Sequence, residues 1–275
     1  MKKSKTLYVS DLDETLLRSD ERLSAFTVNT VNALVERGMT FTFATARSLK
    51  TALEVTQGLS PRLPVITYNG TFIMESGTQR ILHSTGFTKA ETQSILSALR
   101  AGNLSPMVRT LTNGKDRISY DPSSVTPAMQ RYLDRRIGDD RLSPLSDGAT
   151  YPNENVFCFT CMDDKEKLLR VQDALAENST FRIHCMHDVY TNSDWLELQP
   201  AAATKSNAIL ALKKLLGCDR VICFGNGIND ISMFEIADEC YAVSNAENEL
   251  KAIATSIIDS NDEDGVAKWL AKNYR

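Results

Sequence analysis

Two aspartates separated by one residue follow a short apolar run near the start of the chain, in the stretch YVSDLDETLL. Because alternate side chains of a strand point to the same side, Asp11 and Asp13 should project together from the end of the strand predicted at TLYVS. Their two charges repel, and a divalent cation would offset that repulsion. Asp-x-Asp at a strand end is also ordinary turn chemistry, since aspartate is favoured in turns and helix caps.

Polar and charged side chains also follow predicted strands or open predicted helices in three further stretches. In FATARS, AAATKSNAI and CFGNGINDISM they are Thr45, Arg47, Lys205, Asn226, Asn229 and Asp230. A lysine at a buried position is unexpected unless it pairs with acids or a phosphate. Each stretch alone fits a helix cap, a solvated face or a glycine turn. Together they predict a site at the carboxyl ends of strands, where open α/β sheets bind ligands.

The elements that would position these residues alternate between strand and helix at both ends of the chain. From the N-terminus, the pattern predicts strands at TLYVS, TFTFAT and PVITYNG with helices at SAFTVNTVNALVERG and SLKTALEVTQGL. Towards the C-terminus it predicts a helix at KSNAILALKKLLG, a strand at RVICFG, a helix near NDISMFEIAD, and strands at CYAVS and SIID. Apolar strands alternating with helices are typical of a parallel sheet with helices on both faces, so we predict one α/β sheet.

The middle of the chain, from about residue 84 to residue 192, has a different pattern. TKAETQSILSALRAG predicts a helix that begins with a capping box of Thr88 and Glu91. Two predicted strands flank Asn113-Gly114, a pair typical of a type I′ hairpin turn. Helices at PAMQRYLDRRI and DKEKLLRVQDALAE and a strand at NVFCFTC follow. This mixture predicts an α+β unit inserted into the α/β domain.

Composition narrows the class of protein. The chain has 275 residues, 42% of them hydrophobic, which is enough for one large or two ordinary domains. A formal net charge of -4 argues against nucleic acid as a partner, because that binding relies on clustered Lys and Arg. No stretch approaches the roughly 18 consecutive apolar residues of a membrane span, and MKKSKTLYVSDLD lacks the apolar segment of a signal peptide. We therefore expect a cytoplasmic protein with no membrane partner and with reduced cysteines.

A zinc site is an alternative for the middle of the chain. Cys158 and Cys161 form a CxxC pair, and His184, Cys185 and His187 follow, a set that could bind zinc. NVFCFTCM predicts a strand, however, which would point the two CxxC cysteines to opposite faces, whereas zinc-binding CxxC pairs lie on tight turns. Buried packing of these thiols is the favoured interpretation.

The motifs described above resemble those of a known family. DLDET, TAR, Lys205 and GNGIND resemble the four motifs of the haloacid dehalogenase superfamily of phosphotransferases. Their order, with a large insert after the third strand, is similar to that of the Cof-type, subclass IIB, sugar-phosphate phosphatases. The resemblance covers essentially the whole chain. It implies a Rossmann-like core over residues 1–83 and 193–275, and a C2-type α+β cap domain over residues 84–192.

The resemblance also implies a role for each motif residue. Asp11 would be the nucleophile that forms an aspartyl-phosphate, and Asp13 would be the general acid and then the general base. Thr45 would hydrogen-bond a phosphoryl oxygen. Lys205 would neutralise Asp11 and the phosphate, and Asp230 would orient Lys205 or support a metal.

Mg²⁺ is the cofactor that the resemblance implies, held by the Asp11 carboxylate, the Asp13 backbone carbonyl and Asn226. The family usually has Asp at the position of Asn226, and Gly at the positions of Glu14 and Ala46. Because affinity for hard cations depends on ligand charge, we predict weaker Mg²⁺ binding than an Asp would give. Glu14 adds an acid at the mouth of the site.

Residues predicted to contact substrate lie at strand ends and helix starts: Thr45, Arg47, Asn69, Gly70 and Asn229. The predicted function is Mg²⁺-dependent hydrolysis of small phosphate monoesters, with sugar phosphates as the expected substrates and a small phosphorylated metabolite as the partner. Two alternatives remain open. One is a phosphate-ligand binding or regulatory protein whose turnover is weakened by Asn226, and the other is a mutase. Nothing in the sequence indicates the oligomeric state.

Overall fold

The computed structural model describes residues 5–60, 64–112, 115–188 and 193–274. In chain order the strands are β1 (Thr6–Ser10), β2 (Thr40–Phe43), β3 (Pro64–Thr67), β4 (Phe72–Glu75), β5 (Ile81–Ser84), β6 (Pro106–Thr112), β7 (Lys115–Tyr120), β8 (Leu142–Pro144), β9 (Val156–Met162), β10 (Phe181–Asp188), β11 (Ser193–Pro200), β12 (Arg220–Gly225), β13 (Glu239–Val243) and β14 (Ser256–Ile258). The helices are α1 (Ala25–Glu36), α2 (Leu49–Val55), α3 (Lys89–Ala101), α4 (Pro127–Asp134), α5 (Lys165–Leu175), α6 (Lys205–Leu216), α7 (Ile231–Glu235), α8 (Asn248–Ile253) and α9 (Gly265–Asn273). The chain divides into a first unit, Met1–Ser84 with Thr204–Arg275, and a second unit, Thr85–Ala203.

Five strands of the first unit form a parallel sheet in the order β14-β13-β12-β1-β2. β1 lies inside the sheet, with Leu7 opposite Val221 of β12 on one side and Thr40 of β2 on the other. Leu7 and Val9 on one face and Tyr8 and Ser10 on the other are all buried, as expected for a strand covered on both faces. Helix α1 packs against α9, and α6 packs against α7. The prediction that both ends of the chain form one α/β sheet is confirmed.

The third predicted strand is paired differently from the expectation. β3 meets the parallel sheet through a parallel bridge between Ala44 and Ile66 and through the Thr42 hydroxyl, which donates to the Pro64 carbonyl. Its strand pairing is antiparallel, with β4, in a three-stranded sheet β3-β4-β5. The turn Tyr68–Gly70 joins β3 directly to β4. A connection this short permits only antiparallel pairing, because parallel strands need a long crossover.

The second unit is an α+β structure, as predicted. Its six-stranded sheet has the order β10-β11-β9-β6-β7-β8, and all its pairs are antiparallel except β7 with β8. Residues of α3 and α5, such as Leu99 and Leu168, share a core with Phe159 of β9. Helix α3 begins with the predicted capping box of Thr88 and Glu91. β6 and β7 pair as predicted, while the expected turn at Asn113-Gly114 lies outside the described residues.

The second unit also continues beyond residue 192, the end that the sequence pattern predicts for it. Ser193–Pro200 is β11, which pairs with both β9 and β10 and therefore lies inside the second sheet. The boundary falls at Thr204, immediately before α6.

Cys158 and Cys161 lie within β9, whose residues are all buried. Their spacing of three puts them on opposite faces of the strand, as predicted. Burial raises the pKa of both thiols, so both are poor nucleophiles. We assign them to packing. None of the helices within the described ranges is long and apolar enough to cross a membrane.

Candidate active site

The carboxyl end of β1 opens into a cavity of about 450 Å³, here called the carboxylate cavity, whose lining includes the acids Asp11, Asp13, Glu14 and Glu21. The Asp11 backbone N–H donates to the Phe224 carbonyl at 2.9 Å, which fixes Asp11 against the end of β12. The loop Leu12–Leu16 follows and is closed by a bond from the Leu17 N–H to the Leu12 carbonyl at 2.8 Å. The two aspartates of the opening motif therefore reach one cavity, as their spacing predicted.

Lys205 is buried between two acids. It is the first residue of α6, which Thr204 caps by accepting the Asn207 N–H. Its Nζ donates to Asp11 Oδ1 and to Asp230 Oδ1, both at 2.7 Å, and the residue is 2% exposed. Burial alone would lower the pKa of Lys205, but the two carboxylates outweigh it and hold the pKa above its ordinary value. Lys205 is therefore a permanent cation in contact with Asp11.

Asp230 supports the loop that follows β12. Its Oδ2 accepts the backbone N–H groups of Asn226 and Gly227 at 3.0 and 3.1 Å. A Cβ at Gly225 would lie 2.7 Å from that same oxygen, so only glycine permits this approach. Asp230 thus orients both Lys205 and the loop carrying Asn226.

The environment of Asp11 moves its ionisation into the neutral range. Burial raises the pKa of Asp11 to about 7, against the opposing effect of the Lys205 ammonium, and Asp230 adds to the rise. Any further cation in the cavity would favour the ionised carboxylate. An oriented carboxylate that ionises near neutral pH is chemically suited to nucleophilic attack.

Asp13 is held by Arg47. The Arg47 Nε donates to both Asp13 oxygens at 3.0 Å, and its Nη2 donates to Asp13 and to Glu21, the latter at 2.9 Å. The Asp13 side chain is 44% exposed, so it is open to the cavity as well as to Arg47. The structure therefore places Arg47 against the predicted acid/base residue.

Thr45 lies at the end of β2 and is fully buried. Its backbone N–H donates to the Ile66 carbonyl at 3.0 Å, and its hydroxyl oxygen accepts the Arg47 N–H at 3.1 Å. The hydroxyl hydrogen remains available as a donor. The turn after β3 meets the same segment, because the Asn69 N–H donates to the Thr45 carbonyl at 2.9 Å.

Asn69 and Gly70 have different surroundings. Asn69 has a positive φ of 53°, and its Oδ1 is buried without a hydrogen-bond partner among the described residues. Gly70 has a φ of 101°, and a Cβ there would lie 2.0 Å from the Thr204 carbonyl oxygen. The absence of a Cβ at Gly70 therefore lets the turn pack against the start of α6, which positions Lys205. That Gly70 also contacts substrate stays a prediction.

Asn226 and Asn229 both line the carboxylate cavity. Asn226 Oδ1 accepts the hydroxyl of the buried Thr15 at 2.8 Å, which orients the amide. Asn229 is exposed, and Gly227 makes room for its side chain, since a Cβ there would lie 2.7 Å from Asn229 Oδ1. Among the residues that were predicted to act together, Asp11, Asp13, Asn226 and Asn229 share this cavity.

The oxygen atoms available fit a hard divalent cation. The predicted donors are the Asp11 carboxylate, the Asp13 backbone carbonyl and the Asn226 amide oxygen, and Mg²⁺ prefers oxygen ligands of these types. Within the described ranges, no group of three or more His, Cys, Asp or Glu side chains is arranged to hold a metal. The set is consistent with Mg²⁺, which keeps several water ligands and binds few protein carboxylates.

Sequence reasoning missed three residues of the site. Thr15 orients Asn226, Glu21 shares Arg47 with Asp13, and Arg18 lines the cavity. Thr15 belongs to the DLDET motif and could have been found there. Glu21 carries no such signal, because its approach depends on the path of the intervening loop.

Comparisons of the sequence with known proteins agree on one family. Residues 8–270 match the model of the haloacid dehalogenase-like hydrolases. YwtE of Bacillus subtilis (strain 168), a 5-amino-6-(5-phospho-D-ribitylamino)uracil phosphatase, is 24% identical over 279 residues, covering 94% of this chain and 95% of that protein. Phosphatase YwpJ of the same organism is 24% identical over 289 residues, covering 96% of this chain and 98% of that protein.

Solved structures share the fold over nearly the whole chain. A haloacid dehalogenase-like hydrolase from Bacteroides thetaiotaomicron superposes with a TM-score of 0.72 at 22% identity, covering 98% of this chain and 100% of that chain. The subclass IIB sugar phosphatase BT4131 superposes with a TM-score of 0.64 at 19% identity, covering 98% of each chain.

Proposed function

The chain belongs to the haloacid dehalogenase-like hydrolase family, and on that basis we propose that it is a phosphatase of small phosphate monoesters, with sugar phosphates as its substrate class. The observation that carries the proposal is the buried contact of Lys205 with Asp11 and Asp230, together with the position of Asp11 in the lining of the strand-end cavity. It supports a carboxylate that is oriented, cation-stabilised and open to a ligand. The phosphatase names of YwtE and YwpJ, and the sugar phosphatase BT4131, support the substrate class.

The proposed reaction has two steps. An Asp11 carboxylate oxygen attacks phosphorus as the bond to the ester oxygen breaks, and Asp13 donates a proton to the departing alcohol. Water then attacks the aspartyl-phosphate while Asp13 takes its proton, which releases phosphate and restores Asp11. Lys205 holds the nucleophile in place and offsets negative charge in both steps.

Arg47 links substrate binding to Asp13 in this mechanism. It binds both Asp13 oxygens in the structure, and a substrate phosphate would compete for the same guanidinium. When the phosphate binds Arg47, one Asp13 oxygen would be released from the guanidinium and could take part in proton transfer. Thr45 would donate its hydroxyl hydrogen to a phosphoryl oxygen, and Asn69 and Asn229 would contact the rest of the substrate.

We include Mg²⁺ as the cofactor of this reaction. When bound, it would offset the negative charge of the phosphate and the nucleophile. The Asp11 carboxylate, the Asp13 carbonyl and the Asn226 amide would hold it. Because Asn226 is neutral, Asn226→Asp should lower the Mg²⁺ concentration that gives half-maximal activity. An unchanged Mg²⁺ requirement in that variant would contradict this assignment.

The experiment that tests the proposal is phosphate release from a panel of sugar phosphates, nucleotides and an aryl phosphate, with and without Mg²⁺. Wild type, Asp11→Asn and the control Asp140→Asn, which alters an exposed acid of the second unit, are compared. We expect Mg²⁺-dependent release from wild type and control, and none from Asp11→Asn. Rapid acid quenching should trap a phosphoryl group on the Asp11 peptide of wild type, detectable by mass spectrometry. Equal release from Asp11→Asn would rule out the mechanism.

A binding or regulatory protein is the second candidate, and the neutral Asn226 at the predicted metal position favours it. That function predicts sugar-phosphate binding without phosphate release at any Mg²⁺ concentration. A mutase would return the phosphoryl group to a sugar, which product analysis in the same panel distinguishes from hydrolysis.

A further inference from the structure

The acids of the carboxylate cavity differ in whether a cation neutralises them. Asp11 is bonded to Lys205, and both Asp13 and Glu21 are bonded to Arg47. The fourth acid of this cavity is Glu14.

Glu14 has no such partner. Its side chain is exposed, and its carboxylate forms no ion pair or hydrogen bond with any residue in the described part of the chain. Arg18, the basic residue in the cavity lining, is bonded twice to Asp264, at 2.6 and 3.2 Å. The Glu14 charge is therefore the uncompensated negative charge of the cavity.

The backbone at Glu14 is unusual for a glutamate. Its φ is 53°, a conformation that glycine adopts readily and that other residues adopt at a cost. The loop is held there because Asn245 Nδ2 donates to the Glu14 carbonyl at 2.9 Å, while Asn245 Oδ1 accepts the Asn261 N–H at 3.1 Å. The conformation depends on backbone anchors, and the Glu14 side chain adds no contact that stabilises the fold.

The proposed metal ligands, in contrast, carry little charge. Asn226 is a neutral amide, Asp13 contributes a carbonyl, and the Asp11 carboxylate is shared with Lys205. Affinity for hard cations falls when ligand charge falls. A cation at this position would be attracted more strongly by a further negative charge in the same cavity.

We propose that Glu14 supplies the charge that strengthens Mg²⁺ binding in this cavity, acting across the cavity or through a water ligand of the ion. Glu14 is thus a positioning residue for the cation and takes no part in proton or phosphoryl transfer. The inference rests on the proposed function, which supplies the cation.

The test is calorimetric titration of Mg²⁺ into the full-length protein without substrate, so that binding is measured apart from turnover. Glu14→Gln removes the charge and keeps the size, and Glu36→Gln removes an exposed charge at the end of α1 that does not line the cavity. We expect Glu14→Gln to raise the Kd for Mg²⁺ roughly three- to tenfold at low ionic strength, and Glu36→Gln to leave it unchanged. The difference should shrink as salt is added.

Two further variants separate charge from conformation. Glu14→Gly should weaken Mg²⁺ binding as much as Glu14→Gln while raising the melting temperature, because glycine accepts the positive φ. Asn226→Asp combined with Glu14→Gln should recover the affinity, since it returns one negative charge to the cavity.

The outcomes are distinguishable. Equal Mg²⁺ affinity in wild type and Glu14→Gln would overturn this inference alone and leave the phosphatase proposal standing. A wild-type protein that binds no Mg²⁺ would overturn both the inference and the metal-dependent part of the proposed function.

Discussion

Both units bury acids against basic side chains, but the charges balance differently. In the first unit, one ammonium group on Lys205 is shared between Asp11 and Asp230, at 2.7 Å from each. Arg47 is likewise shared between Asp13 and Glu21. Acids therefore outnumber the cations that bind them around the carboxylate cavity.

In the second unit, arginines match the acids more closely. Asp116 is bonded to Arg109 at 2.8 Å and lies 3.8 Å from Arg141, which in turn binds Asp139 at 2.6 Å. The Asp116 side chain is as buried as that of Asp11. Burial of an acid alone therefore does not distinguish the candidate active site, whereas the excess of acids beside a cavity does.

The largest effect should come from removing the shared cation. Lys205→Met leaves Asp11 and Asp230 buried without a counter-charge, which should abolish phosphate release and lower the free energy of unfolding by about 3–5 kcal/mol. Arg109→Met is the matched change in the second unit and should cost about 1–3 kcal/mol, because Arg141 remains near Asp116. Denaturant unfolding of both variants measures the difference. An equal loss of unfolding free energy in Lys205→Met and Arg109→Met would contradict the difference in charge balance between the two units.

Substitution of Asp13 should lower activity strongly and change stability little. Because its side chain is 44% exposed, Asp13→Asn should change the free energy of unfolding by less than about 1 kcal/mol. Loss of the acid/base group should lower kcat by roughly 10²–10⁴-fold. Steady-state kinetics and melting curves provide the two readouts, with Asp139→Asn in the second unit as the control that should keep kcat. A wild-type kcat in Asp13→Asn would contradict the assigned role.

Two glycines with positive φ, one in each unit, allow the effect of a close backbone contact to be compared. At Gly70 an added Cβ would lie 2.0 Å from the Thr204 carbonyl, whereas at Gly138, with a φ of 85°, it would meet nothing within 4 Å. Gly70→Ala should therefore lower the free energy of unfolding by about 2–3 kcal/mol and reduce kcat, since the start of α6 carries Lys205. Gly138→Ala should cost about 1 kcal/mol and leave kcat unchanged. Similar melting temperatures for the two variants would show that the close approach at Gly70 relaxes freely.

The two units should also differ in the sign of the pH dependence of their stability. Hydrogen bonds from Arg141 lower the pKa of Asp139 to about 2, so this pair stabilises the fold above the ordinary value of 3.8 and loses that effect as pH falls towards 2. Asp139→Asn should cost about 1 kcal/mol near neutral pH and nothing in strong acid.

Asp11 should show the opposite trend. Burial raises its pKa to about 7, so the folded state binds more protons between 3.8 and 7 and loses stability as pH rises through that window. Without Mg²⁺, Asp11→Asn should therefore gain stability relative to wild type over the same range. Melting temperatures of the two variants across pH would show parallel trends only if the two acids had similar environments.

The strand ends and their chemistry could be predicted from the sequence for a physical reason. Apolar runs locate the strands, and parallel strands bring their carboxyl ends to one edge of the sheet, which predicts that Asp11 and Asn226 lie close together. Lys205 was detectable because a lysine at a buried position needs acids.

Other features depend on contacts that a local pattern does not contain. Alternation in SDWLELQP is typical of a half-covered strand, but it does not say which sheet the strand joins, so β11 was assigned to the wrong unit. Arg47 was predicted to face the substrate, and its bonds to Asp13 and Glu21 arise from the fold of the loop between them. The positive φ of Glu14 also belongs to that loop.

The interior position of β1 has a consequence for biosynthesis. Leu7 pairs with Thr40 on one side but with Val221 on the other, and the whole of the second unit is translated between these two partners. During synthesis Asp11 therefore emerges from the ribosome before the second unit, whereas Lys205 and Asp230 emerge after it. The nascent protein should therefore lack the Asp11–Lys205–Asp230 contact until β12 and the residues that follow it have emerged and paired with β1.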